Sequence, residues 1–299
     1  MRRLLTILFL LLAVAVLAAD ATPYRFPAAS RVVAIGDWHG DLEAARRSLR
    51  VAGAIDKHDR WIGGELVVVQ TGDQLDRGDD ERAILHLLTR LEEEAAAGGG
   101  AVHALLGNHE HMNVDGDFRY VTPGGWTDFA DIAVAEDDTA LLSLPEEQRP
   151  RAAAFKPGGP YAQAMAHRNV AVIVGRTLFV HGGLLPRHLE QTTLEQLNHD
   201  TQRWLRGDGP EPAVFQAKHS PVWARHYSDE PDDDDCALLA AVLATLDCDR
   251  MVVGHTIQDD GIAPHCHEHV WCIDTGASAH YGGSVQVLEI TAEGVRALW

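Results

Sequence analysis

Five short blocks place ligand-type side chains beside glycines: Gly36-Asp37-Trp38-His39-Gly40, Gly72-Asp73-Gln74-Leu75-Asp76-Arg77-Gly78, Gly107-Asn108-His109-Glu110, His181-Gly182-Gly183 and Gly254-His255-Thr256. Together they supply carboxylate, carboxamide and imidazole groups and no thiolate. Hard oxygen and borderline nitrogen donors suit a catalytic pair of divalent ions such as Mn, Fe or Zn. Such a pair needs one carboxylate that bridges both ions, with terminal ligands on either side; a shared water then becomes a nucleophilic hydroxide near neutral pH. Asp37 and His39 suit one ion, Asp73 the bridge, and Asn108, His181 and His255 the second ion. The neighbouring glycines let the backbone turn sharply enough to bring these side chains together.

Four polar residues remain without a metal role. His109, next to Asn108, can protonate a leaving oxygen, with Asp76 orienting its ring and raising its pKa. Arg77 and Arg225 can grip phosphate oxygens through bidentate hydrogen bonds. His111 reads as structural, and Trp38 and Trp223 as core or pocket wall.

Each block follows an apolar run: Arg31 to Ile35, Glu65 to Gln70, Ala101 to Leu106, Thr177 to Val180 and Arg250 to Val253. Strand ends in open α/β sheets form the rim where ligands bind. Asp274, after the run His269 to Ile273, ends a strand at the same rim and is a further pocket candidate. Asp41 can cap a helix from Leu42 to about Ala52. A second helix is predicted from about Asp80 to Glu94, because Ile84, Leu87, Leu88 and Leu91 recur at helical spacing. These elements make two consecutive βαβ units, hence a parallel sheet. Later strands are expected at Asn169–Val174, Thr177–Val180, Arg250–Val253, His269–Ile273, Val285–Ile290 and Val295–Trp299. Helices are expected at 187–206 and 236–247, with the acidic run Asp232 to Asp235 as a solvated loop. This mixed set suits an α/β fold in which two sheets pack together with helices outside. Residues 111–165 are rich in Gly, Pro and aromatics, with a weakly helical stretch near 128–142. They read as an insertion over the rim that shapes specificity, within a single domain spanning 20–299.

The remaining properties concern location and partners. Residues 1–19 have a basic start (Arg2, Arg3), an apolar run (Leu4 to Leu17) and a small-residue site near Ala18 and Ala19. This is the pattern of a cleaved secretory signal peptide, and the run is shorter than the ~20 residues a membrane span needs. The expected location is periplasmic or secreted, with no stable membrane anchor after cleavage. The chain of 299 residues carries a formal charge of −19; without Arg2 and Arg3 the 25 basic residues become 23 against 44 acidic ones, giving −21. Such a surface argues against nucleic acid as a partner. Any phosphorylated substrate must therefore be captured by local positive charge. Cys236, Cys248, Cys266 and Cys272 permit disulfides in an exported protein. A helix over 236–248 would hold its end cysteines roughly 18 Å apart at ~1.5 Å per residue, which disfavours that pair. Cys266–Cys272 across a hairpin is the local alternative. His265, His267 and His269 alternate along an expected exposed edge or hairpin.

The ordered blocks GDWHG, GDQLDRG, GNHE, HGG and GHT resemble the calcineurin-like metallophosphoesterases, and DRG with GNHE resembles their phosphoprotein phosphatase branch. Gly107 to Asn113, Gly116 to Val121 and Ser220 to Arg225 are similar to the Shewanella-like phosphatases. The resemblance covers roughly residues 31–290. It implies a β-sandwich flanked by helices, two metals at the C-terminal strand ends, and hydrolysis of a phosphomonoester by direct attack of metal-bound water. It also implies Asp37, His39, Asp73, Asn108, His181 and His255 as ligands, His109 and Asp76 as the acid pair, and Arg77 and Arg225 on the phosphate. The substrate class it implies is a phosphoprotein or small phosphomonoester, with some members acting on phosphotyrosine. A dinucleoside-polyphosphate hydrolase on the same fold is the enzyme alternative, and a phospho-ligand-binding pseudo-enzyme is the alternative of another class. The segment Asp274 to Ala277 departs from the corresponding loop of the eukaryotic serine/threonine enzymes.

Overall fold

Two β-sheets face each other across a layer of apolar side chains, with helices on both outer faces. This is seen in a computed structural model that describes residues 22–299; the expected signal peptide, residues 1–19, lies outside the described residues. One sheet contains β2 (Arg31–Ile35), β3 (Val67–Gln70), β4 (Ala101–Ala104), β10 (Val287–Thr291) and β11 (Gly294–Leu298), in the order β11-β10-β2-β3-β4. The other contains β1 (Arg25–Phe26), β5 (Ala171–Val174), β6 (Thr177–Val180), β7 (Arg250–Val253), β8 (Ala263–His265) and β9 (Val270–Cys272), in the order β1-β5-β6-β7-β9-β8. β2, β3 and β4 are parallel, and so are β6, β7 and β9.

The period-2 alternation of the strands decides what each face meets. Val32, Ala34 and Val69 point between the sheets and pack with Val172, Val174, Phe179, Val252 and Trp271. Their neighbours Val33, Ile35 and Val68 point outward against the helices Leu42–Val51 and Glu81–Ala97. The two βαβ units are present as predicted, and Asp41 caps its helix by accepting from Ala44 N at 2.8 Å.

Several local expectations are corrected. The run Asp232 to Asp235 is not a loop but the start of the helix Asp233–Leu246. Asp232 accepts from Asp235 N at 3.0 Å, so the acids cap the positive end of the helix rather than merely face solvent. The segment 187–206 is two helices, Pro186–Gln191 and Leu194–Arg206, divided where Thr193 caps the second. Within the weakly helical stretch 128–142 only Thr139–Leu142 forms a complete helix. The insertion has further helices at Pro123–Asp128, Arg149–Phe155 and Pro160–Met165. Its Phe129, Phe155, Ala162 and Met165 enter the core on the outer side of the six-stranded sheet.

The cysteine expectation is also corrected. Cys236 pairs with Cys266, with Cα atoms 5.3 Å apart, and Cys248 and Cys272 are buried free thiols. In the β8–β9 hairpin Cys272 lies opposite Ala263, not opposite Cys266. Cys266 instead sits in the left-handed turn that continues through His267 and Glu268, facing the start of the helix Asp233–Leu246. In this hairpin His265 and His269 flank the turn and His267 lies within it, so the three do not alternate along one strand.

Candidate metal and phosphate site

Six parallel strands end at the same place. β2, β3 and β4 deliver Asp37, Asp73 and Asn108; β6, β7 and β9 deliver His181, His255 and Asp274. The two rims approach closely enough to exclude a methyl group. A Cβ on Gly36 would lie 2.6 Å from Ile273 O, and one on Gly254 would lie 2.5 Å from Asp37 Oδ1. Glycine is needed at Gly36 because two backbones meet there, and at Gly254 because the Asp37 carboxylate and the Thr71 hydroxyl fill the space.

Asp73 is the centre of the cluster. Its carboxylate lies 3.7 Å from His39 Nε2, 3.7 Å from His109 Nε2 and 3.3 Å from His181 Nε2. Asp37 Oδ2 lies 3.9 Å from His39 Nε2. All of these groups are buried. His39 (φ 47°), Asp73 (φ 56°), Asp76 (φ 64°), Arg77 (φ 64°) and His255 (φ 68°) all adopt left-handed backbone. That conformation is uncommon for non-glycine residues and persists only where the surroundings over-determine it. Much of that determination comes from Glu110. Its carboxylate accepts from Gly107 N (2.7 Å), Asp73 N (2.8 Å), Gln74 N (2.8 Å) and Leu75 N (3.2 Å), fastening two of the loops together.

The donor set fits divalent metal. His39 Nδ1 faces Leu75 O at 3.3 Å and His181 Nδ1 faces Thr71 O at 3.0 Å, so each imidazole donates there and leaves Nε2 free as a ligand. In that tautomer His181 Nε2 and Asn108 Oδ1, only 2.9 Å apart, both present lone pairs. A shared cation would satisfy that contact. His255 Nε2 is buried with no hydrogen-bond partner. The same geometry groups Asp73, His181 and His255 as one potential ligand set and His39, Asp73 and His109 as another.

The electrostatics agree. Burial, then the charges of Asp274 and Asp73, push the Asp37 carboxyl well above its ordinary pKa. Burial acts the same way on Asp73, but the imidazoles of His181 and His109 hold it well below its ordinary value. Burial drives His39 down to about 3, and burial and His181 drive His255 well below 6.5, so both are neutral, as ligands must be. Several crowded carboxylates and neutral imidazoles form a site short of positive charge.

His109 is oriented differently. Its Nδ1 lies 2.6 Å from Asp76 Oδ2, and Nε2 faces the cavity. Burial lowers its pKa, but the charge of Asp73 and the hydrogen bond and charge of Asp76 outweigh that, for a net rise. The cavity is about 360 Å³ and is lined by His39, Asp73, Asn108, His109, His255 and Asp274, with Arg77 and Arg225 at its mouth. Arg77 packs over the Tyr120 ring at 4.2 Å and faces Tyr281 at 5.3 Å. Arg225 Nη1 donates to Thr256 Oγ1 at 3.0 Å. Its loop is tied to the His181 block through Gly182 N and Gly183 N, which both donate to Pro221 O.

All ten residues expected from sequence converge on this site. Trp38 is fully buried in the core and Trp223 stands edge-on to His255 in the cavity wall. His111 is structural, with Nε2 2.7 Å from Glu211 beside Phe215. Glu110, Tyr120, Tyr281 and Thr256 were not anticipated. Glu110, as the acid three residues into a helix that starts after Gly107, and Thr256 lie within the ligand blocks, and Tyr120 lies in the stretch Gly116 to Val121, whereas Tyr281 lies in none of them.

Residues 30–259 match the family model of the calcineurin-like phosphoesterases. The chain belongs to this family. It is 40% identical to Shewanella-like protein phosphatase 2 of Arabidopsis thaliana, over 91% of this chain and 78% of that one. It is 29% identical to Shewanella-like protein phosphatase 1 of Plasmodium berghei, over 84% and 69%. Among solved structures it superposes on the cold-active protein-tyrosine phosphatase of a psychrophilic Shewanella with a TM-score of 0.76 at 25% identity, covering 93% of this chain and 80% of that one. In this phosphoesterase the buried His and Asp groups at the strand ends are consistent with a divalent metal site.

Proposed function

We propose that this phosphoesterase is a two-metal phosphatase of phosphoproteins, with Asp37, His39, Asp73, Asn108, His181 and His255 as metal ligands. The observation that carries the proposal is one cavity holding three kinds of group at once: the ligand cluster, the His109–Asp76 pair at 2.6 Å, and Arg77 with Arg225. The names of its Arabidopsis and Plasmodium relatives point the same way. When bound there, divalent ions of the Mn, Fe or Zn class would activate a water and neutralise phosphate charge.

The chain's own groups supply the rest. Arg77 and Arg225 give the mouth the positive charge that the acidic surface lacks, and can hold phosphate oxygens. His109, with Nδ1 donated to Asp76, presents Nε2–H to the leaving oxygen. Asp76 keeps the ring in that orientation and stabilises its charged form. Tyr120, Trp223 and Tyr281 wall the same cavity, which favours an aryl leaving group, and so phosphotyrosine over phosphoserine. The protein-tyrosine phosphatase name of the Shewanella structure supports that preference. The periplasm or the extracellular space is the proposed location, supported by the leader pattern of residues 1–19 and the Cys236–Cys266 disulfide.

The test is hydrolysis of para-nitrophenyl phosphate by chelator-stripped protein reloaded with Mn, beside His109→Asn. Mn-dependent turnover that falls by ~10²–10⁴-fold in the variant is the expected result. Folded, metal-loaded protein that turns over no phosphomonoester would sink the proposal.

A further inference from the structure

Arg151 belongs to the insertion, on the helix Arg149–Phe155, and is completely buried. Its guanidinium fans out over four acceptor residues. Nη2 donates to Asp76 Oδ1 at 3.1 Å and to Glu81 Oε1 at 2.7 Å. Nη1 donates to Glu81 Oε2 and, at 3.0 Å, to Gly125 O, and Nε donates to Asn113 Oδ1 at 2.8 Å. Asn113 closes the circuit: its Nδ2 donates to Asp76 Oδ1 at 3.0 Å and to His109 O at 2.9 Å. Glu81 Oε1 also accepts from Asp76 N at 2.5 Å. Asp76 is thus held on every side, with one oxygen given to Arg151 and Asn113 and the other to His109 Nδ1.

We propose that Arg151 is a positioning residue for leaving-group protonation, fixing Asp76 so that His109 Nε2 faces the departing oxygen. The inference rests on the proton-donor role given to His109 above. In that step the bond from phosphorus to the leaving oxygen breaks and its electron pair stays on that oxygen. The oxygen takes the Nε2 proton, while a water oxygen bonds to phosphorus and releases its own proton to solvent.

A purely structural arginine would need only to neutralise buried carboxylates. Two observations point further. The Asp76 oxygen that Arg151 holds is the one opposite His109, so the carboxylate cannot rotate without losing both contacts. Asn113 joins the same oxygen to the backbone of His109 itself. The segment that supplies Tyr120 to the cavity wall therefore also supplies the cation behind the acid pair. Deleting the insertion would remove both at once, so deletion cannot isolate a specificity role.

The experiment compares two monoesters with the Mn-loaded full chain. Phenyl phosphate has a leaving oxygen that needs a proton, and 2,4-dinitrophenyl phosphate has one that does not. His109→Asn sets the benchmark and should lose kcat on phenyl phosphate by ~10²-fold or more, with a much smaller loss on the dinitrophenyl ester. Arg151→Lys keeps a cation in the core but cannot make the fork, and should show the same selective loss at roughly one-tenth of that size. Asn113→Ala leaves the guanidinium in place and should show the same sign, which keeps the test alive if Arg151→Lys fails to fold. Arg168→Lys alters another buried arginine, one that contacts Gln74 rather than the acid pair, and should lose rate equally on both esters. Equal losses on both esters in Arg151→Lys and Asn113→Ala, beside a selective loss in His109→Asn, would overturn the inference alone. A His109→Asn variant without selectivity would overturn the proton-donor role and this inference with it.

Discussion

The two rims of the site are built to different standards of rigidity. On the β2–β3–β4 side each ligand sits in a loop with further anchors. His39 is held by Leu75 O, His109 N donates to Asp73 Oδ1 at 3.0 Å, and Glu110 ties together the loops after β3 and β4. On the β6–β7–β9 side the proposed ligands His181 and His255, and their neighbour Asp274, leave their strands almost directly. His181 has one backbone partner, His255 Nε2 has none, and burial raises Asp274 to about 6. The difference teaches that half of the site is organised by the polypeptide and half is left for a cation to complete. Preorganisation costs folding stability, through left-handed backbone and buried charge, so the fold concentrates it on the side that also carries the acid pair.

Asp73 lies nearer than Asp37 to histidines of both rims, 3.7 Å from His39 and 3.3 Å from His181 against 3.9 and 4.0 Å, and its loss should break the comparison most severely. Asp73→Asn should lower kcat by more than ~10²-fold, since losing even a residue that supports a ligand costs 10–100-fold at metal sites. Elemental analysis of the variant should find fewer than two metals per chain. Retention of both would show that the rims hold their ions independently. Glu110→Gln attacks the organised rim alone. The amide retains one acceptor oxygen where four backbone N–H groups converge, so at least one pair of buried donors is orphaned. A loss of about 3 kcal/mol is expected in chemical denaturation of the metal-free protein, at 1–3 kcal/mol for each unsatisfied group less the relief of a buried charge. An unchanged midpoint would mean that the left-handed loops hold themselves.

These contrasts also explain what the chain made legible. The ligands announce themselves because they lie next to glycines at the ends of apolar strands, a pattern confined to a few consecutive residues. The acid pair and both arginines lie in the same blocks or in one short loop. The organising residues do not. Arg151 is 75 residues from Asp76 in sequence, inside a short helix whose apolar neighbours give no hint of a buried charge. Tyr281 reaches the cavity from the loop after β9, where nothing local marks it. The misread acidic run has a similar cause: four consecutive acids look solvated, although the first caps a helix and the other three form its first turn. The cysteine pairing was open because it depends on which strand faces which helix, and that is set by tertiary packing.

The mildest test separates the rims by pH. Asp37 and Asp274 on the metal-free protein have raised pKa values, from burial first and then, for Asp37, from mutual carboxylate repulsion. An acid whose folded pKa exceeds its unfolded value gives stability that is fully present below the unfolded pKa and lost as pH rises through the folded one. For Asp274 that window runs from its ordinary 3.8 up to about 6. Bound divalent metal would favour the deprotonated carboxylates, as a ligand for Asp37 and as a neighbouring charge for Asp274, so it would remove this penalty, and more completely as pH rises. His39 and His255 work in the opposite sense on the metal-free protein. Their depressed pKa values give stability present above the unfolded pKa and lost as pH falls. The two sets partly cancel in the stripped form, so its Tm alone is a poor guide. The gap in Tm between Mn-loaded and stripped protein is the useful quantity. It should widen by several degrees between pH 5 and pH 7.5, at roughly 2–4 °C per kcal/mol for a chain of this size. In Asp274→Asn, which removes one raised acid from the less organised rim, the widening should shrink. A gap that is flat with pH, or one that widens equally in that variant, would mean that Asp274 does not carry the pH dependence of the metal's stabilising effect.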